Sequence, residues 1–411
     1  MVLLIVALVI GLYMAWNIGA NDVANALGTS VGSKALTFRS AVILAGIFEF
    51  AGAVLVGGHV TDTVRKGIVD PSAFTGNPDL LVYGMLAALV SAALWLHLAS
   101  YFGQPVSTTH SIVGAIFGFG LIAGGAVNWA KMGGIVASWV ISPLASGLLG
   151  FLTFAFIKKK ILGTERPDEA AAKYAPYLVM VVAFMLSMAL IFKGLKNIHL
   201  DWPMTTALGV SALVAIVAGG LAFFLLPKPV KREKELEPTE EFDYTERIFR
   251  YLQITTAAYV AFAHGANDVA NAVGPLAAVY AVQTTGEVGM KVGVPIWILL
   301  LGGAGIVAGL AMFGRRVMET VGEKITHMTP TRGFSAEFAA ATTVLVCSKL
   351  GLPISTTHSL IGAVMGVGLA RGLAALQLKT IRSIFTSWLA TVPVTAVMTI
   401  ILYWLATKLL L

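Results

Sequence analysis

The sequence predicts an all-α polytopic membrane protein with inverted-topology repeats: about 8 full spans plus two re-entrant helical hairpins, 12 hydrophobic segments in all. Three observations predict it. Of 411 residues, 57% are hydrophobic and only 12% charged, where soluble chains carry about 45–50% apolar and about 25% charged residues. Apolar runs of about twenty residues recur from end to end, each enough to cross about 30 Å of hydrocarbon as helix. Two motifs also occur twice, in the same order and at nearly the same separation, as an internal duplication requires.

The first apolar stretch, Val2–Ile18, lacks a basic leader and a small-residue cleavage site, so it reads as a mature helix. The segments are 2–27, 41–58, 80–123 (interrupted at Gln104-Pro105), 132–157, 176–192, 203–226, 251–281, 294–313, 334–370 (interrupted at Leu352-Pro353) and 383–407. They divide the chain into a first repeat (1–157, hairpin 80–123), connecting helices (158–226), a cytoplasmic loop (227–250) and a second repeat (251–411, hairpin 334–370). The loop mixes charges with Pro227, Pro229 and Pro238. Cys347 is the sole cysteine, which excludes an intrachain disulfide.

The net charge of +7 is a topology signal and not a nucleic-acid footprint, because Lys and Arg sit in short runs between apolar segments. If each interrupted segment returns to the side it entered, five crossings separate the two repeats, and an odd number inverts them. Alternate loops should then collect the basic residues. Loops 28–40, 158–175, 227–250, 314–333 and 371–382 hold 20 Lys and Arg, while the other side holds 7. The basic side is expected to be cytoplasmic, with both termini outside. The second hairpin arms span only about 22 Å as helix, short for a crossing, which favours re-entrance.

The chemistry lies in the duplicated motifs. GANDVANA occurs from Gly19 and again from Gly265, placing Asn21, Asp22 and Asn25 in one helix and Asn267, Asp268 and Asn271 in the other. A carboxylate at membrane depth costs at least about 2.5–3.5 kcal/mol, so two of them call for a cation. Helix-joining hydrogen bonds would explain a lone intramembrane Asn, but poorly explain six residues duplicated in register. Unwinding at Gly19-Ala20 and Gly265-Ala266 would add carbonyl oxygens, giving an all-oxygen set suited to sodium; potassium and protons fit the same chemistry. The second motif, Pro105-Val106-Ser107-Thr108-Thr109-His110-Ser111, returns as Pro353-Ile354-Ser355-Thr356-Thr357-His358-Ser359. Two such helix N-termini, facing each other, would surround a small oxyanion with donors from Ser107, Thr108, Thr109, Ser355, Thr356 and Thr357. Simple N-capping by the serines is the plainer alternative. His110 and His358 read as packing residues, and Lys349 as a snorkelling side chain. Glu49 and Glu337, the other acids in apolar segments, are candidates for coupling or gating.

These residues resemble the inorganic phosphate transporter family over nearly the whole chain: GANDVANALGTSVGS, IFEFAGA, PVSTTHS, GANDVANAVGP, GRRVMETVG, GFSAEFA and LPISTTHS. The resemblance implies a sodium/phosphate symporter type whose pathway is formed by the paired motifs, and it raises Glu49 and Glu337 to residues important for transport. The short central loop is similar to that of prokaryotic plasma-membrane members.

The function expected is sodium-coupled symport of inorganic phosphate with alternating access between inverted repeats. Proton-coupled phosphate or sulfate transport is the alternative. The partners are inorganic phosphate, sodium ions and the lipid bilayer, with no cofactor; a homodimer is left open. A channel would not concentrate its solute. An intramembrane hydrolase using Ser107 or Ser355 with His110 or His358 would need a base set against the hydroxyl and lacks a nucleophile elbow.

Overall fold

The computed structural model describes residues 2–58, 68–124, 127–191, 202–227, 238–286, 288, 294–349 and 354–410. The major elements are all helices: α1 (Val2–Gly32), α2 (Phe38–Val56), α3 (Pro78–Tyr101), α4 (Thr108–Ile122), α5 (Trp129–Leu162), α6 (Pro167–Ala189), α7 (Met204–Leu225), α8 (Pro238–Thr285), α9 (Ile296–Phe313), α10 (Arg315–Glu323), α11 (Pro330–Lys349), α12 (Thr356–Arg371) and α13 (Leu378–Leu410). Their starts follow local chemistry. Thr37 and Ser40 form a reciprocal capping box for α2, Asn128 caps α5, and Pro78 and Pro167 stand in first turns, where a missing N–H costs nothing.

Among the described residues, eight helices are long and apolar enough to cross a membrane. They are not quite the eight expected. α3, read as a hairpin arm, qualifies by length and composition, whereas α8, which carries the second GANDVANA, does not. The packing still separates α3 from the outer helices, since 72% of its apolar window is buried inside the protein, against 22% for α7 and α13.

Both hairpins are closed at the neck by the same hydrogen bond. The N–H of Asn128, just after α4, donates to the carbonyl of Ile68, ahead of α3, at 3.0 Å, and Val69 and Val127 form an antiparallel bridge beside it. In the second half the N–H of Gln377 donates to Ile325 at 3.0 Å, and the Thr326 hydroxyl donates to Ala375 O at 2.8 Å. Each hairpin therefore leaves from the end at which it entered.

Packing fixes their relative sense. Along α4, Gly114 and Gly118 meet Val392 and Ala396 of α13 in rising order, so the two helices run parallel. α4 runs from its tip towards the first neck and α13 runs away from the second, so the necks lie at opposite ends. α12 repeats the arrangement on α5, with Gly362 against Pro143 and Gly366 against Gly147. The other pairs agree: α1 runs parallel to α9 (Leu12 beside Gly305, Trp16 beside Gly309), and α2 parallel to α8 (Glu49 beside Gly265, Val269 beside Gly57). α2 and α9 are antiparallel, with Gly46 beside Val307 and Phe50 beside Gly303. α1 and α8 consequently run in opposite senses, and the duplication is inverted. Each repeat packs its helices mainly on those of the other.

Described residues of the five basic loops gather at one end. Arg250 Nε donates to Ala35 O at 3.1 Å, Lys158 Nζ to Ala370 O at 3.2 Å, and one pocket is lined by Lys34, Glu323, Thr326, Arg371 and Gln377. Two expectations change. The stretch expected to be a loop at 227–250 is helical from Pro238, because α8, 48 residues long, begins ahead of the apolar segment. The first hairpin opens over residues 102–107, wider than Gln104-Pro105 alone, while the break expected at Leu352-Pro353 lies outside the described residues.

Candidate functional site

The two hairpin tips meet head-on. Thr109 Oγ1 donates to Ile354 O at 3.2 Å, and Thr357 Oγ1 reaches Val106 O at 3.3 Å. Both tips are buried, and the GANDVANA helices flank them. Asn21 accepts from the N–H of Val106 at 3.1 Å and donates to Gln104 O and Ser100 Oγ, each at 3.0 Å, so it holds open the turn that α3 cannot continue.

Asp22 lies at the N-terminus of α4. Its Oδ2 accepts from the N–H of Thr108 at 3.2 Å and its Oδ1 from the hydroxyl of Thr357 at 2.5 Å. Asp268 Oδ2 accepts from the hydroxyl of Thr356 at 2.6 Å, and its Oδ1 from Asn267 Nδ2 at 2.6 Å and Asn271 Nδ2 at 3.5 Å. Asn271 also reaches Thr109 Oγ1 at 3.4 Å. His264 completes the centre: its Nε2 is 2.7 Å from Asp268 Oδ2 and its Nδ1 is 3.0 Å from Glu49 Oε2. Ligand atoms of Asp22, His264 and Asp268 lie within 4.8 Å of one another, with all three residues buried. Two acids and an imidazole this close could hold a cation.

Asn25 is buried beside this cluster, with Oδ1 unpartnered, and a small cavity is lined by Asp22, Asn25, His264 and Thr356. Glu337 stands apart. Thr29 Oγ1, Ser30 Oγ and Gln253 Nε2 donate to its Oε1 at 2.7, 2.6 and 3.0 Å, and Thr256 Oγ1 donates to its Oε2 at 2.7 Å. That carboxylate ties α11, the inbound arm of the second hairpin, to α1 and α8.

Several sequence readings are revised. Unwinding was expected at both glycine pairs, but Gly19–Val23 is a π-turn and the matching stretch of α8 is regular helix. The glycines serve close approach instead: a Cβ on Gly19 would fall on the carbonyl of Ile306, and one on Gly265 on that of Glu49. Ser107 and Ser355 are N-caps, accepting from the N–H of His110 at 3.1 Å and of His358 at 3.0 Å. Their hydroxyls bond neither imidazole, so no nucleophile–base pair forms. The His110 ring lies tilted against Trp139 at 3.7 Å, and the His358 ring stacks on Trp388 at 3.6 Å. The Lys349 side chain lies outside the described residues.

Sequence reasoning missed His264, Gln104, Gln253, Thr29, Ser30 and the two tryptophans. His264 had a signal, one turn before Asp268 on the same helix face. The Ser-Trp pairs at 138–139 and 387–388 are a third duplication, too short to notice without the contact.

The phosphate transporter family profile matches residues 18–399. The chain is 46% identical over 402 residues to the phosphate permease homologue of Pyrococcus abyssi, covering 97% of each chain. It is 46% identical over 424 residues to the chloroplastic inorganic phosphate transporter 2-1 of Arabidopsis thaliana, covering 98% of this chain and 72% of that one. A solved structure described as the sodium-dependent phosphate transporter superposes with a TM-score of 0.92 at 43% identity, covering all of both chains.

Proposed function

The chain belongs to the phosphate transporter family, and from that premise we propose that it is a sodium-coupled symporter whose carboxylates hold the phosphate donors until cations draw them away. It is a transporter and not an enzyme. One observation carries the proposal: three of the donors expected for phosphate, Thr108 N–H and the hydroxyls of Thr356 and Thr357, are taken by Asp22 and Asp268. Those aspartates repel an incoming anion and occupy its place.

Cations entering between Asp22, Asp268 and the flanking Asn21, Asn25, Asn267 and Asn271 would turn the carboxylate oxygens towards themselves. The tip donors of Ser107, Thr108, Thr109, Ser355, Thr356 and Thr357 would then be free for phosphate. Two aspartates with one phosphate carry formally −3 or −4, an arrangement that is costly in a low-dielectric site without two or three monovalent cations. Cation and anion therefore bind together or hardly at all. The sodium-dependent solved relative supports this choice of ion. Glu49 couples through His264, and Glu337 gates the second hairpin.

The repeats at 1–157 and 251–411, bridged by 158–226, supply alternating access. Because α1, α2, α8 and α9 pair among themselves and α4, α5, α12 and α13 do likewise, the moving boundary runs between these mixed bundles. The basic end faces the cytoplasm of a prokaryotic plasma membrane and the termini lie outside, as the loop charges favour.

Radiolabelled phosphate uptake into proteoliposomes tests the coupling. A sodium gradient should drive accumulation, and a proton gradient alone should not. The acid–imidazole–acid chain of Glu49, His264 and Asp268 favours a second reading, proton coupling, to which indifference to sodium would point. Competition by sulfate would test the anion.

A further inference from the structure

A cavity of about 810 Å³ lies between α5, α12 and α13, and transport as described makes no use of it. Its walls are apolar, with Pro143, Gly362 and Val392 among them. At its rim Val140, Leu144 and Leu389 are 59%, 68% and 77% exposed, so the mouth is continuous with the surface these helices turn to lipid. The volume falls within the roughly 300–1,000 Å³ of small-molecule sites, which pair apolar walls with a few placed polar groups.

The polar groups sit at the closed end. His110 and His358 are 3% and 4% exposed, and their rings lie 4.2 Å apart. His358 Nδ1 donates to Trp139 O at 3.4 Å, which leaves Nε2 as a lone-pair acceptor, and that atom has no partner. Neither ring nitrogen of His110 is bonded, nor is the indole N–H of Trp139. Leaving a buried polar group unmet is costly. Four such atoms side by side, at the end of an apolar chamber, are the complement of a small head that both donates and accepts.

We infer that this cavity binds a long-chain fatty acid drawn from the bilayer, with its neutral carboxyl group between His110, His358 and Trp139. The carboxyl O–H donates to Nε2 of His358, and the carboxyl C=O accepts from the Trp139 indole or the His110 ring. The hydrocarbon tail lies along the walls towards Leu144 and Leu389. A water-borne anion has no comparable route, since it would lose its hydration against these walls. A neutral head arriving through lipid does not. The occupant touches α12 one turn from Ser355, so it bears on the hairpin that holds the second tip. The inference stands on the cavity and its histidines, whichever cation couples transport.

The test uses the purified full-length protein in nanodiscs of saturated phospholipid, titrated with dibromostearic acid, whose bromines quench nearby tryptophan. The chain holds 8 tryptophans, so the Trp139→Phe/Trp388→Phe variant isolates the pair in the cavity. Saturable quenching that oleic acid relieves, and that the double variant loses, is expected. Quenching that rises linearly, or matches that of a brominated phospholipid, would overturn the inference. A diazirine fatty acid covers the case of a misfolded variant: on the unaltered protein its adducts should concentrate on α5, α12 and α13. Adducts spread over all lipid-facing helices, or a Leu144→Cys disulfide between two copies that abolishes labelling of the cavity, would also sink it.

Discussion

The hydroxyl of Thr357 donates to the carboxylate of Asp22 at 2.5 Å, so the acid of the first repeat is fastened to the hairpin of the second. The relationship is not returned. Asp268 takes its hydroxyl bond from Thr356, on the hairpin of its own repeat. An inverted duplication thus carries an uneven load at its centre.

Asp22→Asn should keep the fold and lose coupling. An amide still accepts from Thr108 but neutralises the cation site. Sodium-stimulated phosphate uptake should fall at least about tenfold, the equivalent of about 1.4 kcal/mol. Uptake rates across a sodium titration check this, and an unchanged sodium dependence would count against the assignment.

Thr357→Val removes a donor that the anion is proposed to inherit. Hydrogen bonds to charged groups contribute about 1.5–3 kcal/mol, so the KM for phosphate should rise by about tenfold or more, while Thr357→Ser should stay close to the parent. Steady-state uptake by both variants is the measurement.

Glu337→Gln should loosen the second hairpin. Three donors converge on one oxygen and a fourth on the other, and an amide keeps one acceptor only. A loss of about 1–3 kcal/mol of stability is expected, seen as a lower Tm in detergent. An unchanged Tm would mean that the cluster does not hold α11.

The duplicated motifs were legible because they are spelled alike, and the loop charges predicted which loops share an end. The uneven centre was not. Gly265 rests on Glu49 as Gly19 rests on Ile306, so the acid of one repeat matches an isoleucine of the other, and His264 likewise matches Ile18. Only contacts between repeats reveal such pairs. The necks were illegible for another reason, since Asn128 and Gln377 close them through backbone atoms, which carry no residue signature. Ser107 and Ser355 cap their helices through the hydroxyl oxygen, a role that depends on rotamer and not on identity.

Gly366→Ala should prevent assembly, because its Cβ would fall on the carbonyl of Gly147, a backbone atom that cannot give way. Gly133→Ala meets nothing within 4 Å and should be silent. Size-exclusion profiles after detergent extraction separate the two, and a monodisperse Gly366→Ala would refute the close packing of α12 on α5.

In a Cys347→Ala background, Gln377→Cys should react with a membrane-impermeant maleimide only in inverted vesicles, and Asn128→Cys only in right-side-out ones. The reverse pattern would turn the protein over in its membrane.

The π-turn at Gly19–Val23 winds one extra residue into α1, and α8 has none at the matching place. One residue is about 100° of rotation and about 1.5 Å of rise, so deleting the bulge would swing Asn17 and everything before it around the helix axis relative to Asn25. In a molecule whose halves are inverted copies, the opposite-facing state is reached when each half adopts the shape of the other. The bulge should then vanish from α1 and appear at Gly265–Val269. Which way the transporter faces would be written in its helices as a count of residues per turn, readable from local winding even where no gate can be seen to open.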